Sequence, residues 1–164
     1  MSKTSNPDSG SEIVIRAAVA SDAAAILGLI KELAEYERLS HEVTATVENI
    51  RASLFGGDPA AEVLIADLNG SAVGFALYFH NYSTFLGKRG IYLEDLYVQP
   101  SYRGKGIGLR LFREVARIAV ERDCGRMEWS VLDWNEPALN FYRSLGAVPM
   151  SEWTVQRLTG QALE

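Results

Sequence analysis

Two adjacent acids, Glu94 and Asp95, stand in an otherwise apolar run from Ile91 to Val98, and a glycine-punctuated hexapeptide, Arg103-Gly-Lys-Gly-Ile-Gly108, follows a short loop later. A carboxylate inside an apolar strand is costly unless it is paired or performs chemistry. In a regular strand Glu94 and Asp95 face opposite sides, and only a bulge re-aims one of them. The hexapeptide opens a helix. Its bare N–H donors from Gly104 to Gly108 then sit at the positive end of a helix dipole, which suits a phosphate or pyrophosphate. Glycine keeps Cβ atoms out of the ligand's way, and Arg103 and Lys105 add positive charge. Two nucleotide motifs fail here: Leu109 stands where a dinucleotide fingerprint needs its third glycine, and Ile107 follows Gly106 where a phosphate-binding loop needs Lys. What remains is R-x-x-G-x-G between a strand and an amphipathic helix. By itself that hexapeptide serves equally well as a strand-to-helix turn with no ligand.

The rest of the inventory narrows the chemistry. Cys124 is the only cysteine, so the chain forms no internal disulfide, and a cytoplasmic setting is expected. Neither His41 nor His80 is near Cys124 in sequence, which favours a small buried apolar role for the thiol over a nucleophile, and no cluster has metal-ligand spacing. A net charge of -5 argues against a nucleic-acid partner and is compatible with a cationic one. No apolar run reaches the ~20 residues of a membrane span. The first 12 residues read as a flexible polar tail without the apolar stretch of a signal peptide.

The elements that must position these residues follow in order. Ile13 to Val19 reads as a strand, and Ser21 or Asp22 as the cap of a helix with Ile26, Ile30 and Leu33 on one stripe. A polar link, 38–43, precedes a second helix starting near Thr44 and ending at Gly56-Gly57. Glu62 to Leu68 and Ser71 to Phe79 form a hairpin about Asn69-Gly70, and His80 to Gly90 reads as a loop. After the central strand, Ile107, Leu111, Val115 and Ile118 point one helix face inward, with Arg110–Glu114 and Arg117–Glu121 as wet-side pairs. A parallel strand Arg126 to Leu132, a short helix begun by Asn135-Glu136-Pro137 and a last strand Glu152 to Leu158 complete the chain. The expected fold class is α/β (α+β), a mixed sheet with helices on both faces.

With this order of elements, the R-x-x-G-x-G turn and the N-E-P-A-x-x-F-Y helix at Asn135 to Tyr142, the chain resembles the GNAT family of N-acetyltransferases over nearly everything after residue 12. Leu33-Ala-x-Tyr36-Glu37, Gly74-Phe-Ala76, Tyr82-Ser-Thr84, Ile91-Tyr-Leu-Glu-Asp95 and Leu132-Asp-Trp-Asn135 make it most similar to the diamine branch, the spermidine/spermine and thialysine enzymes. The resemblance implies one domain over 13–164, with a mostly antiparallel sheet whose central strand pair splays. It implies transfer of acetyl from acetyl-CoA, with no metal, to a primary amine of a small cationic substrate in a ternary complex. Main-chain groups at Leu96 and Val98, the turn Arg103, Gly104, Lys105, Gly106 and Gly108, and Asn135 and Tyr142 would hold the cofactor. Glu94 would take the proton and Tyr142 would give one to the thiolate. Tyr36, Glu37, Glu94 and Asp95 would bind the amine, and a homodimer is expected.

Each role has a plainer counterpart. The acids also suit pairing with arginines, Tyr142 suits the core, Asn135 suits a cap, and Tyr36 and Glu37 suit a solvated helix end. Where the spermidine/spermine enzymes resembled here carry Asp-Pro-Trp, this chain has Ser83-Thr84-Phe85, closer to the thialysine type. A protein or peptide amine acetyltransferase, and a non-catalytic acyl-CoA sensor, are the alternatives.

Overall fold

A computed structural model describes residues 12–164, so the expected tail lies outside the described residues except for Glu12. The chain divides into two compact units, with the boundary between Ser130 and Val131. The first contains β1 (Ile13–Ala17), α1 (Ala23–Tyr36), α2 (Val47–Phe55), β2 (Glu62–Leu68), β3 (Ser71–Ser83), β4 (Lys88–Val98), α3 (Ile107–Glu121) and β5 (Met127–Trp129). The second contains α4 (Glu136–Ser144).

The sheet runs β1-β2-β3-β4-β5; the first three pairings are antiparallel and β4–β5 is parallel. It is covered on both faces, and β2 shows why. Leu64 and Ala66 pack in one core with Leu93, Leu111 and Val115, while Val63 and Ile65 pack in the other with Ile26, Leu54 and Phe75. A strand buried on both sides reads as a continuous apolar run rather than an alternating one. α3 lies over the first core and α1 and α2 over the second, which is the expected mixed architecture.

Local chemistry sets the ends of these elements. Asn69 (φ 52°) and Gly70 (φ 85°) supply the positive φ angles of the β2–β3 turn. Thr46 caps α2 by accepting from the Asn49 amide (3.1 Å), and Asn49 returns the bond by accepting from the Thr46 amide (2.9 Å). α2 therefore starts at Val47, later than expected. Asp22 stands before α1 without capping it. Its carboxylate instead accepts from the Val19 amide (2.8 Å) and from both terminal nitrogens of Arg16 (2.8 and 2.9 Å).

Four expectations are corrected. The segment 80–90 is a loop only at 84–87: β3 continues to Ser83 and β4 begins at Lys88, because Ser83, Asn81 and His80 find partners in Lys88, Gly90 and Ile91. Arg110 donates to the Ile13 carbonyl (2.7 Å) rather than pairing with Glu114, which is taken by Arg117 (2.6 Å). β5 holds only three residues, since its pairing ends at Leu93–Trp129, where β4 is bulged. The last strand does not form: segment 152–158 pairs with none of the described strands, and Trp153, Val155 and Leu158 are exposed. Apolar alternation makes a strand only where a ladder partner is at hand.

Candidate active site

The site is built on one irregularity in β4. Leu77 of β3 stands opposite Asp95 and Tyr78 opposite Leu93, so Glu94 is an extra residue with no partner. Such a bulge shifts both periodicities of the strand by one. Before it, Ile91 and Leu93 face the α3 core; after it, Leu96 and Val98 do, and Tyr97 faces the α1–α2 core. Asp95 is thereby turned to the α1 side. The main chain switches as well. Gln99 donates its amide to the Val73 carbonyl (2.9 Å), so by antiparallel alternation Tyr97 and Asp95 bond to β3. Leu96 and Val98 consequently aim their amides and carbonyls away from β3, on the side where β5 has ended. The splay expected between the central strands begins here.

Three carboxylates gather at this bulge. Glu94 is exposed and Asp95 half-buried. Burial first, then the charges of Glu94 and Glu37, push the Asp95 carboxyl up to about 7. Glu37, just past the end of α1, is pushed up by burial. A carboxylate raised into the neutral range exchanges protons at working pH, and the cluster favours a cation.

Tyr36, the last residue of α1, stacks on the Arg103 guanidinium, 5.0 Å from its ring centre, and Tyr97 stacks on the same group at 5.3 Å. Arg103 Nε donates to the Val98 carbonyl (2.8 Å). Its side chain is thus folded back toward β4, and Lys105, 5.7 Å from the Tyr102 ring centre, is the cation left beside the glycine turn. Sequence reasoning places Arg103 there for its charge and misses its aromatic neighbours. It also misses Glu32, which accepts from Tyr97 Oη (3.3 Å) and Gln99 Nε2 (3.0 Å). The signal is available: Glu32 lies one helical turn before Tyr36.

The turn itself fits a phosphate. Gly104 (φ 74°) and Gly106 (φ 75°) both adopt left-handed backbone, and among the described residues no atom beyond the adjoining backbone lies within 4 Å of the positions their Cβ atoms would take. Gly106 occupies the cap position of the fifteen-residue α3 with no side-chain cap, so the first amides of α3 keep their donors for a ligand. Residues 104–108 and the outward main chain of Leu96 and Val98 together fit the pyrophosphate and amide-bearing arm of a coenzyme A thioester.

Asn135 and Tyr142 belong to the second unit. Asn135 is buried and caps α4, its Oδ1 accepting from the Ala138 amide (3.3 Å). Tyr142 is half-buried with its ring edge-on to Phe141 at 5.2 Å between centres. Ser83-Thr84-Phe85 forms a hairpin tip about 20 Å along the sheet from Asp95, six residues on from Leu77. It therefore does not wall the carboxylate cluster. Cys124 is half-buried, with Sγ 4.0 Å from His80 Nδ1, a neighbour that sequence distance hides. Among the described residues no group of three or more His, Cys, Asp or Glu could hold a metal, and no helix is long and apolar enough to cross a membrane.

Residues 26–147 match the model of the acetyltransferase (GNAT) family. The chain belongs to that family. A bovine thialysine N-epsilon-acetyltransferase is 41% identical over 162 residues, covering 92% of this chain and 95% of its own. An L-ornithine N5-acetyltransferase of Arabidopsis thaliana is 35% identical, covering 92% and 86%. Among solved structures, an integron cassette protein from the mobile metagenome of V. cholerae superposes with a TM-score of 0.79 at 28% identity, over 94% of this chain and 96% of its own. This GNAT protein is accordingly an N-acetyltransferase, an acyltransferase whose fold matches the expectation from sequence.

Proposed function

We propose that this enzyme transfers acetyl from acetyl-CoA to the primary amine of a small cationic substrate, an amino acid or diamine of the thialysine, ornithine or polyamine type. The observation that carries the reading is the bulge at Glu94, which sets a carboxylate cluster beside outward-facing main chain and a bare helix start. Amides 104–108 would hold the pyrophosphate with Lys105 as counter-charge. Leu96 and Val98 would hold the pantetheine arm through the Leu96 amide and carbonyl and the Val98 amide, since the Val98 carbonyl accepts from Arg103.

The chemistry then needs two protons removed from nitrogen and one supplied to sulfur. A primary ammonium with a pKa near 10 must lose its proton before nitrogen attacks the thioester carbon. Glu94, exposed at the bulge, takes that proton; Asp95 and Glu37 hold the cationic end of the substrate. As the N–C bond forms and the C–S bond breaks, Tyr142 gives the leaving thiolate its proton, and the second proton shed by the new amide nitrogen returns the tyrosinate to a phenol. Asn135 contributes by fixing the start of the helix that carries Tyr142. No acyl-enzyme is required, because transfer is direct. On this reading 13–164 works as one catalytic domain, cytoplasmic and homodimeric; light scattering at micromolar concentration should give the dimer mass, and a monomer mass refutes it.

The test is thiol release from acetyl-CoA against thialysine, ornithine, lysine, putrescine, spermidine and a lysine peptide. Turnover with one of the small amines is expected. Turnover with the peptide alone, or acetyl-CoA binding without turnover of any amine, overturns the proposal.

A further inference from the structure

Arg103 precedes the glycine turn, yet its side chain serves the opposite wall of the site. The guanidinium lies between Tyr36 and Tyr97, 5.0 and 5.3 Å from their ring centres, while Nε holds the Val98 carbonyl at 2.8 Å. Tyr36 ends α1 and adjoins Glu37, whose charge acts on Asp95. Tyr97 is two residues beyond Asp95 on the same face of β4 and is itself tied to α1 through Glu32. One planar cation therefore joins the end of α1, the strand after the bulge and the first residue of the cofactor turn.

We propose that Arg103 is a positioning residue for the amine half of the site: it clamps Tyr36 and the end of α1 against β4, and so sets Glu37 at the distance from Asp95 that selects the cationic substrate. The idea rests on the acetyltransferase reading above for its kinetic arm only. A cation that merely neutralised phosphate would be replaceable by lysine. A guanidinium stacked on two rings with its Nε on a carbonyl is not, because the ammonium is a compact point charge on a flexible stem with no planar fork.

The test compares wild type with Arg103→Gln and Arg103→Lys. Under the clamp, both variants raise the amine KM by about tenfold or more, the size expected from losing stacked cation contacts, while kcat stays within about threefold and the dissociation constant for CoA by calorimetry changes little. A phosphate role predicts the reverse: Arg103→Gln loses CoA affinity, and Arg103→Lys restores it with a normal amine KM. That pattern overturns the proposal. A second arm is independent of turnover. Amide exchange at 33–37 should quicken in both variants without CoA present, whereas unchanged exchange there refutes the clamp. A wild type that acetylates no amine would defeat the proposed function and leave the exchange arm to judge Arg103.

Discussion

Asp95→Asn should raise the stability of the protein at neutral and alkaline pH and leave it nearly unchanged in acid. The Asp95 carboxyl is held up at about 7 by burial and by the charges of Glu94 and Glu37, against about 4 for an Asp in the unfolded chain. The folded state therefore keeps a proton that the unfolded state releases. Stability falls as pH rises through that interval, because the folded state binds more protons than the unfolded one. At about 1.4 kcal/mol for each pH step between the two values, the wild type becomes about 4 kcal/mol less stable at pH 8 than at pH 4 on account of this one group. Asn cannot ionise and removes that slope. Glu37 is raised in the same direction by burial and is present in both proteins, so the difference between them reports Asp95 together with its coupling to Glu37. Urea unfolding from pH 4 to pH 8 should show the two stabilities converging at the acid end, separating up to about pH 7 and levelling off beyond it, with the Asp95→Asn variant the more stable chain. Parallel curves, or a gap that opens toward acid, would refute the placement of Asp95 in a buried acidic cluster.

Glu94→Gln should lower kcat by about a hundredfold or more, the usual size of a general-base contribution, with CoA affinity by calorimetry unchanged. Tyr142→Phe should lower kcat with the amine KM little altered and remove the alkaline limb of the pH–rate profile, since the proposed acid is the phenol. Gly106→Ala places a Cβ in open space but on a left-handed backbone of φ 75°, so a cost of about 1–2 kcal/mol should appear in urea unfolding together with a raised KM for acetyl-CoA. Phe75→Ala, at a side chain with no exposed surface under α1 and α2, should cost about 3–5 kcal/mol by the same assay.

Much of this was legible in the residues because the signals were local. Asn69-Gly70 is a turn that needs two positive φ angles, Asn135 before Glu136-Pro137 is a helix start, and the stripe Ile107, Leu111, Val115 and Ile118 fits one helix face; all three formed where expected. Losses came where a partner decides. Segment 80–90 is polar and aromatic enough to read as a loop, but pairing between the strands extends β3 to Ser83 and β4 back to Lys88, leaving only 84–87 as the turn. Segment 152–158 alternates like a strand and has none of the described strands to pair with. Arg110 sits at helical spacing from Glu114, yet the Ile13 carbonyl on the neighbouring edge strand takes it. His80 approaches Cys124 across forty-four residues of separation that no spacing rule reaches.

The bulge lies between these two kinds of legibility. Adjacent acids in an apolar strand announce that the period of two is broken, because otherwise one of them would point into a core. What the residues alone left open was which neighbour would be displaced. The register assigns the extra place to Glu94, and the consequences are joined: Asp95 turns to the α1 side, while Leu96 and Val98 turn their main chain outward as β5 ends. Restoring regular pairing would return Asp95 to the α3 core, where Leu93, Leu111 and Val115 offer no polar partner, and would aim the Leu96 and Val98 amides back at β3. On the proposed function, a single inserted residue thus makes both the place for the cation and the place for the thioester arm. Moving the acids without moving the main chain is not open to this sheet.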